Sequence, residues 1–118
     1  MDRILKALRG HKHPLGTFTQ LKSTTAIEAM AYTGLDYVVI DTEHCPAGID
    51  FVSSAVTAAS AAGVSSLVRI NEIARSAVLQ SLDVGADGLI VPNVETVEQV
   101  RRLIHWAKFP PLGGRGFC

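Results

Sequence analysis

Three ionisable side chains fall within four consecutive positions, Asp41-Thr42-Glu43-His44, directly after the apolar run Tyr37-Val38-Val39-Ile40. A histidine exchanges protons near neutral pH, and a carboxylate beside it can orient the ring or raise its basicity. Charges grouped at the mouth of a buried strand are costly unless they are solvated or employed. The same residues would also serve as a solvated loop with a helix-capping acid, because strand-to-helix loops are exposed as well as functional. Arg69 closes the next apolar run, Ser66-Leu67-Val68. Its guanidinium is a rigid cationic fork that suits a carboxylate or a developing enolate oxygen. Taken in isolation, the arginine reads rather as half of a structural ion pair across the mouth. With the acid–histidine cluster one strand away from the arginine, a functional role becomes the better reading of both.

Other candidates carry less. His11, His13 and His105 lie away from strand ends, at positions expected on the surface. Cys45 follows His44, but adjacent strand-end side chains diverge, so a passive thiol suits it better than a Cys/His nucleophile. Gly113-Gly114-Arg115-Gly116 holds a single RGG copy in a neutral chain and is read as a flexible loop.

Groups placed in this way need alternating strands and helices behind them. Ile4, Leu5 and Leu8 predict a short amphipathic opening helix ended by Gly10. Leu15–Leu21 reads as a first strand, and Thr25 with Glu28 forms a capping box for a helix to about Tyr32, closed by Gly34. Tyr37–Ile40 is rich in branched residues without polar alternation, as expected of a strand buried on both faces. An alanine-rich helix over Asp50–Ala62, stopped by Gly63, leads to a strand at Ser66–Ile70. A helix over Arg75–Asp83 and a strand at Leu89–Val91 follow. Thr96 and Gln99 make a second capping box, for a helix to about Lys108 that Pro110-Pro111 cannot continue. Gly34-Leu35-Asp36 and Gly85-Ala86-Asp87, 51 residues apart, each turn a helix end into a buried run. That spacing accommodates two βα units, and the alternation argues for a parallel sheet.

A doubly wound sheet would carry a glycine-rich phosphate loop after its first strand, where this chain has Gln20-Leu21-Lys22-Ser23-Thr24. Polar residues instead close several strands: Gln20, the 41–44 cluster, Arg69 with Asn71, and Asn93. A (β/α)₈ barrel builds its catalytic face from several strand ends in this manner. A whole barrel takes about 250 residues, and the 118 present hold four βα units. Residues 1–118 are therefore expected to form half of one barrel domain, as a piece of a longer protein or as a half-barrel that must pair.

Composition narrows the partners. Lysine plus arginine equals aspartate plus glutamate at 11 each, so the basic excess a nucleic-acid binder needs is missing. Hydrophobic residues make up 47% and charged residues 19%, which suits a globular domain with a real core. Cys45 and Cys118 have no CxxC partner and read as free thiols of a reducing, cytoplasmic compartment. Charges thread through Met1–Gly10, unlike a signal peptide, and no apolar run approaches the roughly 20 residues of a membrane span.

Several strings occur together and in order: Leu15-Gly16, Gly34 through His44, Leu67-Val68-Arg69, Leu82-Asp83-Val84-Gly85-Ala86, Val91-Pro92 and Phe109 through Gly116. On these the chain resembles the HpcH/HpaI aldolases, class II pyruvate aldolases of the 4-hydroxy-2-oxoheptanedioate and 2-dehydro-3-deoxyglucarate type. The specific strings are Ile40-Asp41-Thr42-Glu43-His44 and Pro110-Pro111-Leu112-Gly113-Gly114-Arg115-Gly116. The resemblance implies the N-terminal half of a (β/α)₈ barrel and reversible cleavage of a 4-hydroxy-2-oxo acid to pyruvate and an aldehyde. It implies a divalent metal, Mg²⁺, Mn²⁺ or Co²⁺, acting as Lewis acid without a Schiff-base lysine, in a homo-oligomer that is hexameric in the family.

Carried over by position, His44 matches the catalytic base, and Arg69 the arginine that stabilises the enolate-like transition state. Asp83 matches the aspartate credited with raising the histidine's basicity, and Asp41 and Glu43 would stand around metal-bound water. The element pattern puts Asp83 at the end of a helix returning to the barrel's bottom, away from His44. The family's metal ligands lie in Gln-x-Glu and Gly-x-x-Asp-Leu strings that this sequence lacks, so they are expected beyond Cys118. Phe18 stands where some relatives carry a tryptophan near the acceptor-aldehyde pocket, so aldehyde preference does not transfer. The alternative is a truncated, non-catalytic half-barrel serving only as an assembly or interaction unit.

Overall fold

A computed structural model describes residues 2–10 and 13–117; His11 and Cys118 lie outside the described residues. The elements are α1 (Asp2–Arg9), β1 (Gly16–Thr19), α2 (Thr24–Ala31), β2 (Tyr37–Asp41), α3 (Ile49–Ala61), β3 (Ser65–Arg69), α4 (Arg75–Asp83), β4 (Gly88–Ile90) and α5 (Val97–Ala107). All neighbouring strands are parallel, and their order in space is their order in sequence. A doubly wound sheet reverses strand order at a switch point. Here each strand adds on the same side of the last, which is how a barrel wall grows.

Strand register divides the sheet into two faces. Val38, Ile40, Val68 and Ile70 join Ile27 of α2, Val52, Ala55, Val56 and Ala59 of α3, and Val78 of α4 in one core. Each such valine or isoleucine side chain taken fully out of water contributes about 1.5–3 kcal/mol. The alternate residues face the other way. Phe18 pairs with Val39 and Val39 with Leu67, while Asp41 pairs with Arg69 and Arg69 with Ile90. With a period of two, Phe18, Val39, Asp41, Leu67, Arg69 and Ile90 share the face away from α2, α3 and α4. Phe18 stays 51% exposed there.

The repeated Gly-x-Asp strings prove to be a joint. Gly34 and Gly85 follow helix ends with φ of 88° and 97°, which glycine reaches without steric penalty. The aspartates then tie each new strand to the one before. Asp36 accepts the Leu15 N–H at 2.8 Å and donates its own N–H to the Leu15 carbonyl at 2.7 Å. Asp87 repeats both bonds with Ser66, at 3.0 and 2.9 Å.

Two local expectations change. Helix α2 begins at Thr24, which leaves Thr25 inside its first turn, and the cap is Ser23, whose Oγ accepts the Ala26 N–H at 3.2 Å. Three adjacent hydroxyls compete for that place, and the turn entering the helix selects among them. Strand β1 is shorter than Leu15–Leu21 because Leu21 donates its N–H back to Thr19 Oγ1 at 3.2 Å, ending the extended run. The second capping box forms as expected, with Gln99 N–H on Thr96 Oγ1 and Thr96 N–H on Gln99 Oε1. No helix among the described residues is long and apolar enough to cross a membrane.

Candidate active site

Asp41 is the last residue of β2 and Arg69 the last of β3, and the two are register partners. Arg69 engages the carboxylate with both tines of its fork, Nε to Oδ1 at 3.0 Å and Nη2 to Oδ2 at 2.7 Å. The backbone N–H groups of Glu43 and His44 add bonds to Oδ1 at 3.0 and 3.3 Å, and Gln20 Nε2 donates to Oδ2 at 3.0 Å. The Arg69 guanidinium holds the Asp41 carboxyl well below the usual carboxylate range, against the opposing effect of burial. Gln20 and the two backbone N–H groups push it the same way. The same contact raises Arg69 above its already high ordinary value. Asp41 has thus committed its lone pairs, and it ties the loop to the arginine.

The rest of the cluster extends from this pair. Arg69 Nη1 lies 3.2 Å from Glu43 Oε2, and Asn93 Nδ2 donates to Glu43 Oε1 at 3.4 Å. Asn93 does so from a left-handed backbone, φ 55°, a conformation asparagine tolerates better than most residues. His44 Nε2 is 3.7 Å from Glu43 Oε2, with its side chain 62% exposed to solvent. Thr42 donates its N–H and its hydroxyl to the Arg69 carbonyl, at 3.0 and 2.7 Å, which fastens the loop to the end of β3. The Phe18 ring lies under the guanidinium, 4.8 Å from its carbon. The result is an oriented cation beside an exposed imidazole, the equipment for charge stabilisation next to proton transfer.

The structure therefore brings together Asp41, Glu43, His44 and Arg69. It does not bring Asp83 to them. Asp83 ends α4 and accepts from Arg115 Nη2 at 2.7 Å. A crossover helix between parallel strands runs back from the C-terminal end of one to the start of the next, so Asp83 lies at the opposite end of the sheet from Arg69. Cys45 is a buried thiol whose Sγ–H donates to the Gln20 carbonyl at 3.2 Å, and His13 and His105 are exposed. Sequence reading missed the contacts that Gln20, Phe18 and Asn93 make. The available signal was the period of two, which aligns Phe18 and Gln20 with Val39 and Asp41.

Among the described residues no three His, Cys, Asp or Glu side chains converge to hold a metal ion. A cation at Asp41 would also have to displace Arg69 from both carboxylate oxygens. These residues do not fit a metal centre by themselves.

Residues 15–117 match the profile of HpcH/HpaI aldolase/citrate lyase. The chain belongs to that family. A 2-dehydro-3,6-dideoxy-6-sulfogluconate aldolase of Pseudomonas putida is 33% identical over 94% of this chain, which spans 44% of that enzyme. The crystal structure of an HpcH/HpaI aldolase from Desulfitobacterium hafniense superimposes with a TM-score of 0.92 at 37% identity, over 98% of this chain and 45% of that one. A citrate synthase crystal structure gives a TM-score of 0.94 at 30% identity, over 99% and 48%. The chain thus spans less than half the length of these three proteins, and its four βα units are about half of a (β/α)₈ barrel.

Proposed function

We propose that the protein carrying this chain is a metal-dependent aldolase that cleaves a 4-hydroxy-2-oxo acid to pyruvate and an aldehyde, and that residues 1–118 are the N-terminal half of its single barrel domain. The observation that carries this reading is the Arg69 fork, fixed by Asp41 at 2.7 and 3.0 Å next to His44. In the cleavage direction the C4 hydroxyl gives its proton to His44, directly or through one water. The C3–C4 bond breaks, its electron pair moves onto the C2 oxygen, and the aldehyde departs. The enolate oxygen so formed takes an N–H from Arg69 Nη1, which lies outside the fork. Protonation at C3 then completes pyruvate. Glu43 steadies both Arg69 and His44, and Asp41 holds the assembly in place.

A divalent metal supplies Lewis acidity to such chemistry, and its ligands would come from residues outside those described here. Asp83 can raise the basicity of His44 only from a second copy of the chain, since within one copy it sits at the far end of the sheet. That requirement accords with a homo-oligomer.

The full-length protein, supplied with Mg²⁺, Mn²⁺ or Co²⁺, is expected to release pyruvate from a 4-hydroxy-2-oxo acid and to stop when EDTA is added. Turnover that survives exhaustive chelation, or trapping of pyruvate by borohydride, would sink the metal-enolate reading. The likeness to a citrate synthase favours a second reading, in which an enolate held at this site is used for carbon–carbon bond formation. Assays in both directions separate the two. Silence in both with every metal would leave a non-catalytic assembly unit.

A further inference from the structure

Gln20 follows β1 and is held at two points. Its carbonyl accepts the Sγ–H of buried Cys45 at 3.2 Å, and its Nε2 reaches Asp41 Oδ2 at 3.0 Å. That oxygen already receives Arg69 Nη2 at 2.7 Å. Two donors on one carboxylate oxygen, one from the turn after β1 and one from the end of β3, resist rotation of the carboxylate, and rotation is the motion that would break the bidentate fork. A neutral amide suits the position. A lysine or arginine there would compete with Arg69 for Asp41, and a carboxylate would repel it.

We propose that Gln20 is a positioning residue: acting through Asp41, it fixes the plane of the carboxylate and so aims the Arg69 guanidinium at the reacting oxygen. The proposal rests on the aldolase reading for its kinetic consequence, but the geometry it describes can be read without turnover.

The experiment uses full-length protein as wild type, Gln20→Leu, which removes the donor at similar volume, and Gln20→Glu, which keeps the shape and adds a titratable group. Removing the donor should lower kcat about threefold to tenfold, with KM changed less. In Gln20→Glu the protonated carboxyl can donate to Oδ2 as the amide did, whereas the ionised form confronts Asp41 with like charge. Asp41 and Glu43 raise the pKa of the introduced carboxyl and Arg69 lowers it, with His44 and Cys45 the other titratable groups nearby. The ratio of variant to wild-type kcat should therefore climb as pH falls. A side chain that merely packs would give parallel profiles.

The second readout is the Arg69 Nε–H resonance in ¹⁵N NMR, assigned with Arg69→Lys. It should exchange with solvent faster in Gln20→Leu than in wild type. Parallel pH profiles together with an unchanged exchange rate of the Arg69 resonance would overturn the proposal, even if kcat fell. If the wild type itself shows no turnover, the aldolase reading fails, and the exchange rate of the Arg69 resonance alone decides whether Gln20 positions the fork.

Discussion

The aspartate–arginine pairs Asp41–Arg69 and Asp83–Arg115 each bring nitrogen and oxygen to 2.7 Å, at opposite ends of the sheet. In the first, the carboxylate is the hidden member: Asp41 is 0% exposed and Arg69 20%. It takes bonds on both oxygens from Arg69, Gln20 and two backbone N–H groups. In the second the burial is inverted, with Asp83 55% exposed, Arg115 14% exposed, and one carboxylate oxygen used among the described residues. Arg115 stacks 4.8 Å over Phe109, and its buried Nε has no hydrogen-bond partner among the described residues. Around it the segment after α5 folds back, with Gly114 N–H on the His105 carbonyl and Arg115 N–H on that of Lys108. A Cβ at Gly113 would collide with the Lys108 backbone oxygen, so only glycine fits there. The contrast teaches that distance does not assign a role. A carboxylate saturated with donors holds a cation in one orientation, whereas the half-exposed Asp83 carboxylate, met by one nitrogen among the described residues, keeps an oxygen open to other contacts.

Removing Asp41 tests that contrast hardest. In the full-length protein, Asp41→Ala strips Arg69 of its fork partner and orphans two backbone N–H groups. Breaking one side of such a pair costs about 3–5 kcal/mol, read by urea unfolding, and activity should vanish with it. The pH dependence has a definite sign. The native Asp41 carboxyl is held below its unfolded value, so its contribution is complete above the ordinary aspartate pKa near ~3.9 and fades as pH falls below it. The stability gap between wild type and Asp41→Asn should stay constant from neutral pH to about 5 and shrink below about 4. A gap that persists undiminished in acid would mean that the charge of Asp41 contributes nothing.

Arg69→Lys keeps the charge and loses the fork. It should lower kcat by about 10²-fold or more while costing less stability than Asp41→Ala. Near-normal turnover would make Asp41–Arg69 a purely structural pair.

The smallest effects belong to the second pair. Asp83→Asn and Arg115→Lys should each cost less than about 1 kcal/mol, because the carboxylate is solvated. A double-mutant cycle should show them coupled. In the assembled protein Asp83→Asn is expected to lower kcat more than Arg115→Lys does. Equal effects on kcat would return Asp83 to a purely local role.

Much of this could be read along the chain. The branched run Tyr37–Ile40 announced β2, Arg75–Asp83 is α4 to the residue, and Thr96 with Gln99 marked the start of α5. Strict alternation gave the parallel sheet, and Asp41, Glu43, His44 and Arg69 stood out by falling at strand ends. These features are local: periodicity, turn chemistry and caps act over a few residues, so a linear reading captures them. The partnerships came from elsewhere. Gln20 meets Asp41 across 21 positions and Arg69 meets Asp41 across 28, contacts that exist only because the register sets β1, β2 and β3 side by side. Ser23 rather than Thr25 caps α2 because the path of the chain into the helix, not the list of hydroxyls, chooses the cap. Asp83 looks near the other site residues in motif order, yet a crossover helix must carry its end to the far edge of the sheet. The sequence by itself named the side chains able to do chemistry, and the tertiary structure decided which of them share a charge and which are kept apart.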